Sequence, residues 1–185
     1  MEKTVQTYKA LTKICLKARE LTETNSKYVK EFGLPILGKT RSKDYKKDIQ
    51  EYFDSLHQSI LENFFLELFA SFEARVIEKI GLAAGEMKAS IKKNYRSNLP
   101  FQNFEDKFVK NENDLSSLNK ILELLNGKID LYRYDQLKKV VRFRDKLAHG
   151  KRFHENVLLD SIEDTHRLLN EVLDEISMYL MNKDI

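Results

Sequence analysis

An all-α bundle of five or six helices is predicted by three features of the chain. Turn formers are scarce, with 6 glycines and 2 prolines in 185 residues. Apolar residues recur at three- and four-residue spacing, and no useful length of sequence alternates as a half-buried strand does. The remaining composition leans on Leu, Lys and Glu, which enter helices at little entropic cost. At this length a single domain, 1–185, is expected to bury one core.

The elements follow in order. From about Thr4 to Leu21, Val5, Tyr8, Leu11, Ile14, Cys15 and Ala18 form one face of an amphipathic helix. Residues 23–43 break that pattern with Gly33, Pro35 and Gly38 and carry Lys27, Lys30, Lys39, Arg41 and Lys43, which reads as a basic surface loop. The segment from about Asp44 to Gly81 is the longest and most regular. Its stripe of Phe53, Leu56, Ile60, Phe64, Leu68, Phe72, Val76 and Ile80, widened by Phe65 and Phe69, is broad enough for the long central helix of a bundle. A separate shorter helix is expected over about Leu82 to Tyr95, before the break at Ser97-Asn98-Leu99-Pro100.

Residues 100–113 read as irregular. Asp114 then suits the N-cap of a short helix through Leu125, closed by Gly127. Another helix is expected from about Asp130 to His149, with Gly150 as its stop. Asp160 or Ser161 caps the last helix. Ser161 and Asp164 stand at capping-box spacing, and Ile162, Leu169, Leu173, Ile176 and Leu180 form its buried face.

The formal charge of +3 is too small to imply a nucleic-acid partner by itself, so the placement of charge matters more. One cysteine excludes an internal disulfide framework and fits a reducing compartment. No N-terminal signal-like apolar core and no run near the roughly 18 apolar residues of a membrane span occur. A soluble, cytoplasmic protein without a membrane partner is the expectation.

Cations concentrate between Arg133 and Phe153: Arg133, Lys138, Lys139, Arg142, Arg144, Lys146, Lys151 and Arg152, opposed only by Asp135 and Asp145. A solvated helix face with a basic C-terminus explains one or two of these, since cations complement the helix dipole there, and eight less well. Within this stretch Arg144 and His149 offer a phosphate holder and a proton carrier, enough to cut RNA without a metal. Being five residues apart, they point about 140° away from each other on an ideal helix. Either the helix ends or distorts near Ala148-His149-Gly150, or two copies of the chain share the site across a two-fold axis.

Arg144-Asp145-Lys146-Leu147-Ala148-His149, an Arg and a His with four residues between them, resembles the motif of the HEPN superfamily. The common family form has Asn where Asp145 stands; the Leu-Ala-His-Gly ending is family-like. Ala70-Ser71-Phe72-Glu73-Ala74 is similar to the Phe-Glu pair of HEPN domains of the RiboL-PSP kind. The resemblance implies a HEPN-like helical bundle that forms a homodimer across the Arg144–His149 motif. In many members such a domain is a metal-independent endoribonuclease, often a toxin or an antiviral effector; in others it is a non-catalytic binding module.

Applied to this chain, the resemblance implies that the RNA 2′-hydroxyl attacks the adjacent phosphorus and the bond to the 5′-oxygen breaks, leaving a 2′,3′-cyclic phosphate and a 5′-hydroxyl. His149 serves as general base or acid, and Arg144 steadies the phosphate through a two-pronged contact. Nearby cations favour the neutral imidazole. Asp145 either orients one of these groups or is a bystander. Arg142, Lys146, Lys151 and Arg152 are expected to hold the RNA backbone without reading sequence. Glu73, in line with Phe65 and Phe69, is expected to be partly buried and to need a cation, with Arg144 among the candidates. His154 is a possible supporting residue of the same cleft.

The remaining histidines, the cysteine and the tyrosines read as structural. His57 and His166 border apolar stripes and read as packed histidines. A metal site from His149, His154 and Asp160 lacks the paired i, i+4 histidines or multiple cysteines of zinc proteins, so no metal and no cofactor is expected. Cys15 reads as core. Tyr132 and Tyr134 are expected to pack between helices rather than stack on bases. The functional expectation is therefore an endoribonuclease acting on RNA, with a possible antitoxin or other partner protein. The alternatives are a non-catalytic HEPN module binding RNA or protein, and an ordinary helical adaptor in which the motif is accidental.

Overall fold

The computed structural model describes residues 1–24, 45–95, 122–123, 125–148 and 161–181. Among them are four helices and no strand: α1 (Glu2–Thr24), α2 (Tyr45–Tyr95), α3 (Leu131–Ala148) and α4 (Ile162–Met181). The class is all-α as expected, but the helices expected over 44–81 and 82–95 are one continuous helix of 51 residues. Gly81 and Gly85 keep ordinary negative φ inside it. An isolated glycine weakens a helix by only about 1 kcal/mol, and no proline interrupts residues 45–95. The basic segment after Thr24, the irregular stretch 100–113 and most of the helix expected over 114–125 lie outside the described residues. None of the described helices is long and apolar enough to cross a membrane.

Residues 1–68 and 69–185 form two compact units. In the first, α1 lies along the N-terminal half of α2. Cys15, Ile49 and Phe53 are buried together, with Ala18, Leu56 and Ile60 packed against them. Tyr8 meets Phe64 edge-on at 6.0 Å, and Thr4 donates to Glu67 at 3.2 Å. Arg19 pairs with Glu23 and with Asp54, both at 2.9 Å, and its hydrogen bond to Glu23 is the main cause of a guanidinium pKa raised above the usual value. Burial pushes the Cys15 thiol up, as its place in the core requires. The buried stripe of α1 is narrower than its periodicity suggests, for Leu11 and Ile14 are exposed.

The second unit joins the C-terminal half of α2 to α3 and α4. Phe69, Phe72 and Val76 are buried from α2, Leu137, Val140, Val141 and Phe143 from α3, and Leu169, Val172, Leu173 and Ile176 from α4. Each large side chain removed from water in this way stabilises the unit by about 1.5–3 kcal/mol. Its helix ends carry local caps, of which the sequence nominates Ser161 and Gly127. Ser161 accepts the Asp164 amide at 3.1 Å and donates to the Asp164 carboxylate at 2.8 Å, which starts α4. Asp130 accepts the Arg133 amide at 3.0 Å and starts α3. Gly127, at φ 70°, ends the preceding helical turn, where Lys128 N–H reaches the Leu125 carbonyl at 3.0 Å.

Candidate functional site at the end of α3

The direction of Arg144 follows from helix periodicity. Leu137, Val140 and Val141 are the buried stripe of α3, and Arg144 stands seven, four and three residues beyond them. Its side chain is therefore carried toward α2 and is 26% exposed. The guanidinium carbon lies 5.3 Å from the centroid of the buried Phe69 ring, within cation–π range. Nη2 donates to both oxygens of Glu73 at 3.5 Å, and Nη1 donates to Asp145 at 2.8 Å. Glu73 is itself 27% exposed, on the turn of α2 that follows Phe69. Of the nominated residues, the structure thus brings Arg144, Asp145 and Glu73 together. The two contacts are unequal: 2.8 Å is a full charge-assisted hydrogen bond, whereas 3.5 Å is the outer limit of one.

Arg142 and Lys146 are exposed and aligned with Lys139 at positions i, i+3 and i+7, a basic ridge on solvent. Each is two residues from Arg144, about 160° away around the helix. The structure therefore sets these two cations on the face opposite the guanidinium. α3 is described as far as Ala148, and the stop expected at Gly150 lies outside the described residues. His149, Lys151, Arg152 and His154 lie outside the described residues, as does Asp160 of the alternative metal set.

The other nominated side chains fall as follows. His57 is half-buried, and its Nε2 is shielded from solvent without a hydrogen-bond partner among the described residues. His166 meets Asn170 at 2.9 Å along α4. Tyr132, expected to pack between helices, is instead 69% exposed at the start of α3. Tyr134 lies under the Lys138 ammonium at 4.7 Å.

Sequence reasoning missed a second arginine cluster. Arg133 pairs with Glu171 at 2.9 Å and with Glu175, and Glu175 also accepts the Asp130 amide at 2.8 Å. Its guanidinium pKa is raised, chiefly by the hydrogen bond to Glu171 and then by Glu175. The readable signal is Glu171 and Glu175 at i, i+4 spacing on α4, one ridge of acid able to grip a single cation.

Chemically, the Arg144 cluster offers a delocalised cation stacked on a phenyl ring, held by two carboxylates and about a quarter exposed. An oxyanion that displaces Glu73 would exchange a long contact for a short bidentate one. No protein-family model matches the chain, and no curated protein or solved structure is significantly similar to it.

Proposed function

We propose that this chain is a metal-independent endoribonuclease of HEPN type, which cleaves RNA by 2′-hydroxyl attack and leaves a 2′,3′-cyclic phosphate. The observation that carries the reading is Arg144. It is a partly exposed guanidinium on the final turn of α3, oriented by Asp145 and Glu73 and followed closely in sequence by His149. In this reading Arg144 grips the scissile phosphate and stabilises its growing charge, while His149 moves the proton. Asp145 orients the guanidinium. The reading requires the chain to leave the regular helix near His149, or a second copy to supply the imidazole, because on a continuous helix the two side chains diverge by about 140°. Two chains join across the motif in a HEPN-like dimer, Arg142 and Lys146 attract the RNA backbone together with Lys151 and Arg152, and His154 supports the cleft. The setting is a cytoplasmic toxin or antiviral effector, held in check by an antitoxin or other partner protein.

The test incubates the full chain with mixed cellular RNA in excess EDTA and compares it with Arg144→Ala and His149→Ala. Wild type is expected to cut and leave cyclic phosphate ends, with both variants slower by about 100-fold or more. Chelator-sensitive cutting sinks the metal-free mechanism, and equal inertness of all three proteins sinks the nuclease. Sedimentation of wild type beside Lys146→Glu tests the association, which is expected to weaken in the variant.

One observation favours a second reading, a non-catalytic HEPN module. Two carboxylates already compensate the Arg144 charge, as in an arginine whose role is to join helices. RNA binding through the exposed Lys139–Arg142–Lys146 ridge would then survive Arg144→Ala and fail in Arg142→Glu.

A further inference from the structure

At the opposite end of α3 from Arg144, the turn before the helix meets α2 and the last turns of α4 around a cavity of about 260 Å³, open on one side. Its walls are aliphatic: Ile80 from α2, Leu125 and Ile129 from the turn, and Ile176 and Leu180 from α4. Lys128 and Tyr179 complete the lining, and both are exposed, which puts them at the mouth. The Lys128 ammonium stands 5.3 Å from the Tyr179 ring centroid. Among the described residues Lys128 has no carboxylate partner. An aliphatic hollow thus has at its mouth one ammonium group, Lys128, that no described acid neutralises.

We propose that this cavity is a binding site for a small amphiphilic anion, a short alkyl or aryl body carrying a carboxylate or phosphate. The size is suitable: an aliphatic cavity of about 150 Å³ suffices for benzene, so this one accommodates a body somewhat larger. The walls offer a polar ligand no buried hydrogen-bonding partner, which selects an apolar body. Lys128 selects the sign of the head group, and the Tyr179 ring covers the first carbons beside it. The site is independent of the ribonuclease reading and uses none of its residues.

The test titrates the full-length protein, labelled at isoleucine methyls, with octanoate, octyl phosphate, octanol and acetate. Saturable shifts are expected at Ile80, Ile129 and Ile176 with octanoate and octyl phosphate, whichever anion binds tighter naming the natural head group. Ile49, in the core of the first unit, should not move. Octanol is expected to bind about fivefold more weakly than octanoate, and acetate to cause no shift. Lys128→Met, a change at an exposed side chain, should lower octanoate affinity about fivefold and leave octanol unchanged. Shifts confined to exposed Ile14, or none at the three cavity methyls, would overturn the site. Octanol binding as well as octanoate, with Lys128→Met having no effect, would overturn the anionic class.

Discussion

Arg133 and Arg144 stand near opposite ends of α3, each beside two carboxylates, and the grip differs. Both acids of Arg133 come from α4, and one of them, Glu175, is only 15% exposed and also binds the Asp130 amide that starts α3. Arg144 takes its short contact from the adjacent Asp145, and among the described residues its ion pair with another helix is the 3.5 Å approach to Glu73. A phenyl ring lies under Arg144, whereas Arg133 has acids on two edges of its fork. Two arginines of one helix thus differ in grip: one is clasped by two acids of another helix, the other by its sequence neighbour and one long contact, and the proposed function has phosphate displace that long contact.

The largest expected effect separates the two in function. Arg144→Ala should reduce RNA cleavage by about 100-fold or more while Arg133→Ala leaves the rate per folded molecule unchanged, measured with a short fluorogenic RNA at saturating concentration. Comparable losses in both would erase the distinction. Next in size is stability. Glu175→Ala removes the acceptor of the Asp130 amide and one of the two acids on Arg133, and the amide bond alone contributes about 1 kcal/mol, visible as a lower urea midpoint. Third, Phe69→Leu keeps most of the buried volume and removes the ring beneath Arg144. A loss of about 1 kcal/mol is expected, and the activity should drop with it because the guanidinium loses its platform.

Much of this arrangement was readable beforehand where the cause is local. Ser161 with Asp164, Asp130 and Gly127 signal helix ends because a cap or a left-handed turn uses residues within four positions, and each is found in that role. The stripe of α4 was legible because Ile162, Leu169, Leu173 and Ile176 repeat without ambiguity. The join of 44–81 to 82–95 was not, since Gly81 fits both a helix stop and a tolerated interior glycine, and only tertiary context decides. Nor was the exposure of Leu11 and Ile14, because periodicity says which residues share a face and not how wide the covering partner is. The approach of Glu73 to Arg144 was half legible. Glu73 follows Phe65 and Phe69 on one stripe and Arg144 follows Leu137 and Val141 on another, but that the two stripes face each other is a long-range fact. The Arg133 clasp spans 38 and 42 residues of chain, and no local rule joins such positions.

The smallest expected effect is the most discriminating. Glu73→Gln keeps the shape of the side chain and removes its charge, and the contact it weakens is long and a quarter exposed, so stability should change by less than about 0.5 kcal/mol. If Glu73 merely ties α2 to α3, nothing further should happen. If it competes with phosphate for Arg144, the KM for RNA should fall a few-fold in Glu73→Gln with kcat nearly constant, because the substrate no longer displaces an anion before it binds. If Glu73 instead holds the guanidinium at the angle the transition state needs, kcat should fall and KM stay. An unchanged KM and kcat, with Arg144→Ala still inactive, would assign the orienting of Arg144 to Asp145 alone, whose 2.8 Å contact is the stronger of the two.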